Sequence, residues 1–260
     1  MDFDLNKRQK IILSSLILTI GLISTQLVDF SLRFIFLILL GIFSYILSLW
    51  ALWDGLNKMK ALVLLILPTF YTLAVASFYF LLPIRWLTRL PVALFFGLSF
   101  YLLLLSENVF NVASIRTIPL YRAASTANFL FTLIATFFLF NVIHAFNLAF
   151  FWNGFLVAAV SFPLILQTLW SIEMADKLDS EVFFHSLILS LILGELGMVF
   201  SFWPLTTVMW SLSLASAMYV ILGLLTQHLR SRLTQRIIEE YLLVGVGVLL
   251  FCFFTTSWSG

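Results

Sequence analysis

The chain alternates between long apolar runs and short polar breaks. Nine runs stand out, at 11–28, 34–53, 61–82, 91–106, 123–143, 153–170, 182–202, 205–225 and 241–258. A helix needs about 20 apolar residues to cross the hydrocarbon of a bilayer. The fourth run is short and can extend to about Val112. Strands of a membrane barrel would alternate polar and apolar residues over roughly ten positions, and these runs do not. In lipid the backbone must bond within its own segment, so helices remain. The pattern predicts an all-α, polytopic transmembrane helix bundle of about nine spans, forming one integral membrane domain over residues 1–260. An odd number of spans and no visible repeat speak against two equal inverted halves.

Composition agrees. Of 260 residues, 62% are hydrophobic and 10% charged, against about 25% charged in a soluble domain. A net charge of +2 gives no argument for nucleic acid. The single cysteine, Cys252, excludes an intrachain disulfide. Lys7, Arg8 and Lys10 before the first run resemble a signal sequence, but the run is long and lacks a small-residue cleavage site, so it reads as a retained span.

The basic residues set an orientation. With the N-terminus in the cytoplasm, the inner side holds Lys7, Arg8, Lys10, Lys58, Lys60, Arg116, Arg122, Lys177, Arg230, Arg232 and Arg236. The outer side holds only Arg33, Arg85 and Arg89. This is the positive-inside bias, repeated loop by loop, and it puts the C-terminus outside. Most tryptophans fall near run ends, where the indole is half solvated. Pro68 and Pro163 lie inside the third and sixth runs and predict kinks.

Two inner segments read as interfacial. In 107–122, Val109, Val112, Ile115 and Ile118 recur every third residue, which suggests a stretch lying in the interface. In 226–240, Leu225, Leu229, Leu233 and Ile237 recur every fourth. That suggests a short amphipathic helix whose Arg230, Arg232 and Arg236 touch anionic lipid headgroups, or else an ordinary basic loop.

Among the nine runs, only 182–202 carries a charged residue, Glu195. A carboxylate at the centre of a span costs about 2.5–3.5 kcal/mol on insertion scales. Glu195 is therefore expected to face protein or water, or to be protonated. Ser186, Ser190, Gly194, Gly197 and Ser201 form a small-residue stripe on the same helix, suited to close packing. Glu195 points about 140° away from it, at 100° per residue. His185 lies about 15 Å from Glu195 along the axis. A second polar group gathers near the inner ends of other runs: Glu107, Asn108 and Asn111, then Arg116 and Arg122, Asn128 and Gln167. A pair between Glu107 and Arg116 or Arg122 would hold 107–122 in place. Glu195, Glu107, Asn108, Arg116, Arg122, Asn128 and His185 are thus the candidate binding residues, with no catalytic or metal-ligating set.

Several chemistries drop out. No run contains a lysine for a retinal Schiff base, and His-Glu-x-x-His is missing. No histidine lies mid-run for haem, and no cofactor is expected. Gly97-Leu98-Ser99 faintly resembles a rhomboid-protease serine motif, but no histidine lies at its depth.

Ser-Glu-Asn-Val-Phe-Asn-Val-Ala-Ser-Ile-Arg-Thr at 106–117, Leu-Gly-Glu-Leu at 193–196 and Ser-Phe-Trp-Pro-Leu-Thr at 201–206 resemble stretches of uncharacterised multi-pass membrane proteins of candidate-phyla bacteria. The resemblance covers most of the chain. It implies a bacterial inner membrane and supplies no activity. Three functions stay open. The first is a transporter or channel-like protein with a polar path at Glu195. The second is a membrane scaffold or assembly partner. The third is an intramembrane enzyme on a lipid-linked substrate, using Glu107, Arg116, Arg122 and His185. The orientation is directly testable: a phosphatase active only outside the cytoplasm, fused behind the ninth run, is expected to be active, and activity from the cytoplasmic side alone would reverse the topology.

Overall fold

The computed structural model describes residues 5–25, 32–82, 86–113, 120–174 and 177–256. Among these, ordered structure is helical: α1 (Lys7–Ser24), α2 (Arg33–Leu52), α3 (Lys58–Leu64), α4 (Ile66–Leu81), α5 (Trp86–Ala113), α6 (Tyr121–Ala145), α7 (Phe150–Glu173), α8 (Ser180–Phe200), α9 (Thr207–Leu229) and α10 (Gln235–Thr255). Counting α3 and α4 as one rod, eight are long and apolar enough to cross a membrane. The remaining one, α1, carries Lys7, Arg8 and Lys10 in its first turn. Large apolar side chains point outward along most rods, Leu243 at 75% and Phe254 at 79% exposure among them. Water would not tolerate such a surface; these apolar helices mark an integral membrane protein.

The rods fall into two compact units. One comprises Met1–Ala135 with Met174–Lys177, the other Thr136–Glu173 with Leu178–Gly260. The chain passes from one to the other within α6.

In the first unit, α1 packs on α2 and α5, and α2 on α4. Proline has no amide hydrogen and clashes with the carbonyl four residues back. Pro68 accordingly coincides with a break at Leu65, between α3 and α4. The Pro68 carbonyl accepts from Thr72 Oγ1 at 2.9 Å and from Ser44 Oγ at 3.3 Å, which ties α2 to α4. Pro163 is carried inside α7 without ending it. The core holds Tyr71, whose hydroxyl donates to Ser99 Oγ at 2.7 Å and whose ring stacks on Phe96. Ser99 is thus engaged in packing.

In the second unit, the small-residue stripe of α8 packs on α7 as expected. Ser186, Ser190, Gly194 and Gly197 are buried. A Cβ on Gly194 would lie 2.8 Å from the Gly154 carbonyl oxygen, and one on Gly154 would lie 2.7 Å from that of Gly194. The two backbones touch. Asn153 Nδ2 adds a bond to Ser201 Oγ at 3.1 Å. α9 and α10 meet through Ser213, whose hydroxyl donates to Cys252 Sγ at 3.2 Å, and through Gly223 beneath the Tyr241 ring. Cys252 is the buried residue of α10; the rest of that helix faces outward or is half-covered.

The fourth run does extend to Val112 and one residue beyond: residues 107–113 are the last turns of α5, which begins at Trp86 and carries Pro91 inside. Residues 114–119 lie outside the described set. In 226–240 a basic loop at 230–234 joins two helices, the second of the two readings, and no separate amphipathic helix forms. The first residues of this stretch end α9, and Ser231 turns the chain with φ 55. Thr234 then caps α10 by accepting from the Ile237 amide. The four-residue spacing of leucines came from two helices continuing into the loop from either side.

The glycine contact yields a paired prediction. Gly194→Ala drives a methyl into backbone and is expected to cost about 1–3 kcal/mol. Gly247→Ala, with nothing within 4 Å of its Cβ position, should gain up to about 1 kcal/mol from helix propensity. Reversible unfolding in detergent measures both; equal effects would refute the close crossing.

Candidate functional site

The candidate residues are divided between the two units. The first place is one end of the first unit. Glu107, on the penultimate turn of α5, is 0% exposed, and Asn128 of α6 donates to its Oε1 at 2.9 Å. Asn108 is half-buried beside it, with its Oδ1 enclosed and unbonded. One turn on, Asn111 Nδ2 donates to the carbonyls of Leu52 and Asp54, each at 3.0 Å. These carbonyls end α2, where helix geometry leaves acceptors unpaired. Lys7 Nζ donates to the same Asp54 carbonyl at 3.1 Å. Burial pushes the Lys7 ammonium below its ordinary pKa, while the Asp54 charge pulls it back up. This end of the unit is therefore a polar clamp, in which one side-chain amide bonds the carbonyls at a helix terminus and another bonds one oxygen of a buried carboxyl.

The expected Glu107–Arg122 pair does not form. Arg122 is exposed on the first turn of α6, and Asn128 takes the carboxyl instead. The physical reason lies in α6 itself: Asn128 sits six residues further along, buried where Glu107 is, while Arg122 sits at the helix start. Arg116 lies outside the described residues, so the pair with Arg116 does too. Thr132 and Thr136 follow Asn128 along α6 and are also buried.

The second place is α8. His185 is half-buried, and its Nδ1 lies 2.8 Å from the Glu181 carbonyl oxygen, a bond that occupies this nitrogen within its own helix. Asp179 caps the helix by accepting from the Glu181 amide at 3.3 Å. Glu195, in contrast, is exposed, and no hydrogen bond or ion pair holds it among the described residues. It stands in the most outward stripe of α8, with Ile188, Leu191 and Val199 between 52% and 60% exposed around it. Five residues separate it from the helix end at Phe200, about 8 Å of rise. Within its own unit, no described residue shelters this acid. The helical wheel placed it opposite the packing stripe, and α7 occupies that stripe; what remains is the outward face.

His185 and Glu195 belong to the second unit, while Glu107, Asn108, Arg122 and the Asn128 end of α6 belong to the first. Several polar bonds escaped the sequence reading. Asn141 Nδ2 donates to Ser211 Oγ at 3.2 Å, and His144 Nδ1 lies 3.2 Å from Thr207 Oγ1, with its ring against Trp210. An asparagine inside an apolar run is the signal that would have found the first of these, since a buried amide needs a partner.

The clamp is testable. Asn111→Ala leaves two buried carbonyls unbonded and is expected to cost about 1–3 kcal/mol, read as a lower unfolding midpoint in detergent. Asn111→Asp removes the donors at nearly constant volume and should cost at least as much. A neutral result for both would show that water serves these carbonyls equally well.

No curated protein and no solved structure matches the chain. One family model does, over residues 48–255, a stretch that includes both Glu107 and Glu195. The chain belongs to that family, an uncharacterised one described as protein of unknown function (DUF5656).

Proposed function

We propose that the chain is an assembly subunit of a bacterial inner-membrane complex, inserted with its N-terminus in the cytoplasm, and that it meets its partner through the Glu195 face of α8. The observation that carries this reading is the exposed, unpartnered carboxyl within an apolar stripe. Ionised in hydrocarbon, such a group costs about 2.5–3.5 kcal/mol on insertion scales, and more by other measures. Protonated, it still has a donor and acceptors that lipid tails cannot satisfy. A partner removes both costs if it is a membrane-crossing helix with a lysine, arginine or side-chain amide at the matching depth. A second copy of this chain fits less well, because the interiors of its own runs contain no lysine or arginine and their amides, Asn128, Asn141, Asn153 and Gln167, are buried within the chain. A transport path at Glu195 would need the side chain to line a cavity with polar groups of other helices, and it points outward instead.

A photo-crosslinking residue placed at Leu191 or Val199 in cells tests this. The expected result is a discrete cross-linked species, with a yield falling about tenfold or more in Glu195→Leu, the equivalent of ~1.4 kcal/mol or more. Lipid adducts alone, or a yield indifferent to Glu195, would sink the reading. If Glu195→Gln accumulates normally but alters proton-coupled flux, the transport reading replaces it.

A further inference from the structure

The Glu195 face of α8 continues to the start of the helix. Glu181, Phe184, Ile188, Leu191 and Glu195 are all exposed, and their steps of three, four, three and four residues are those of two heptads. At 100° per residue, the path from Glu181 to Glu195 falls about 40° short of four turns. The two acids therefore share one stripe, about 21 Å apart along the axis. Phe184, Ile188 and Leu191 between them are each more than half exposed. Val182, Ser186, Ser190, Gly194 and Gly197 fill the buried, opposite side. The Glu181 carboxyl makes no hydrogen bond or ion pair among the described residues. The link before it holds one cation, Lys177, against Asp176 and Asp179. Asp179 is engaged in capping the Glu181 amide.

A seven-residue repeat lets two helices cross at about +20° and stay in register along their length. A partner that meets Glu195 on such a stripe therefore passes Glu181 as well. With the N-terminus in the cytoplasm, Glu181 stands at the cytoplasmic end of α8, where crossing helices carry most of their lysine and arginine. Resting on the assembly reading of Glu195, we infer that the partner is a membrane-crossing helix lying along α8 for two heptads. It carries a lysine or arginine at its cytoplasmic end against Glu181, about fourteen residues from the group that meets Glu195. The two contacts differ in kind. The pair at Glu181 stands at the water boundary, where salt weakens it, whereas salt does not reach Glu195. Exposed charges of this sort fix register and partner choice more than affinity.

The test uses the full chain in isolated membranes, with a photo-crosslinking residue at Phe184 or at Val199. Both positions should capture the same protein. Its sequence, read by mass spectrometry, should show a crossing helix with a basic residue at one end and a lysine, arginine, asparagine or glutamine about two heptads away. Glu181→Gln should lower the yield at Phe184 about two- to fivefold, and Glu181→Lys should lower it further. Raising salt from about 50 mM to about 500 mM should lower the wild-type yield similarly and leave Glu181→Gln unmoved. An acid in the first turn also suits the positive end of the helix dipole. If that is its whole role, Glu181→Gln lowers the unfolding midpoint and leaves cross-linking and its salt response unchanged, which overturns the inference. Different proteins at the two positions, a dimer of this chain, or a captured helix without the paired groups overturn it too. A yield that depends on Glu195 but not on Glu181 leaves the assembly reading standing and removes only this one; a yield indifferent to both removes both. Should Glu181→Lys fail to accumulate, Glu181→Gln and the salt response of the wild-type chain decide.

Discussion

A hydroxyl in hydrocarbon has nowhere to send its proton except another part of the protein. That constraint orders much of this structure. Ser14, Thr19, Ser77, Ser186 and Ser211 each donate to the carbonyl four residues back in their own helix. Each group is satisfied at once, without help from a neighbour, so serines and threonines can be spread through apolar rods at little cost. Asparagine and glutamate have no such local outlet. Asn111 therefore reaches across to the end of α2, Asn128 to Glu107 and Asn153 to Ser201. The side chains too polar to satisfy themselves are those that fasten one helix to another.

Close packing does the rest. Lipid tails are as apolar as leucine, so burial of leucine gives little drive for helices to associate in a bilayer. What remains is contact made possible by the lack of side chains, as where Gly154 faces Gly194 and where Gly223 lies under Tyr241. α10 shows the opposite case. It holds to α9 along one edge and leaves its remaining surface to the surroundings.

Much of this was readable from residue order, because hydropathy over twenty residues is a strong signal. Each of the nine runs corresponds to a rod, and the direction of Glu195 relative to the glycine stripe follows from helical geometry alone. The differences at the span ends have a common origin. At Glu107–Ala113 and at 226–240, polar residues lower the hydropathy while the backbone stays helical, so span ends read from polarity were set too early. Partners were harder still. A wheel gives the angle at which Glu195 leaves the helix but not what stands there. Nothing in the order of residues distinguishes Arg89, with its stem covered by neighbours, from an arginine free at the surface. Of the two arginines that charge suggests for Glu107, Arg122 stays exposed at the start of α6, and Asn128 bonds the carboxyl by its position on that helix.

The Gly154–Gly194 contact has a consequence for how the chain is made. The link at 174–179 is short, and where Gly154 meets Gly194 the two helices touch backbone to backbone. The two can close on each other as a hairpin as soon as both have left the insertion machinery. Closed in that order, the hairpin would bring Glu195 to the bilayer ahead of α9 and α10. Biogenesis, in this molecule, would commit the charge to lipid early and leave its neutralisation to whatever arrives afterwards.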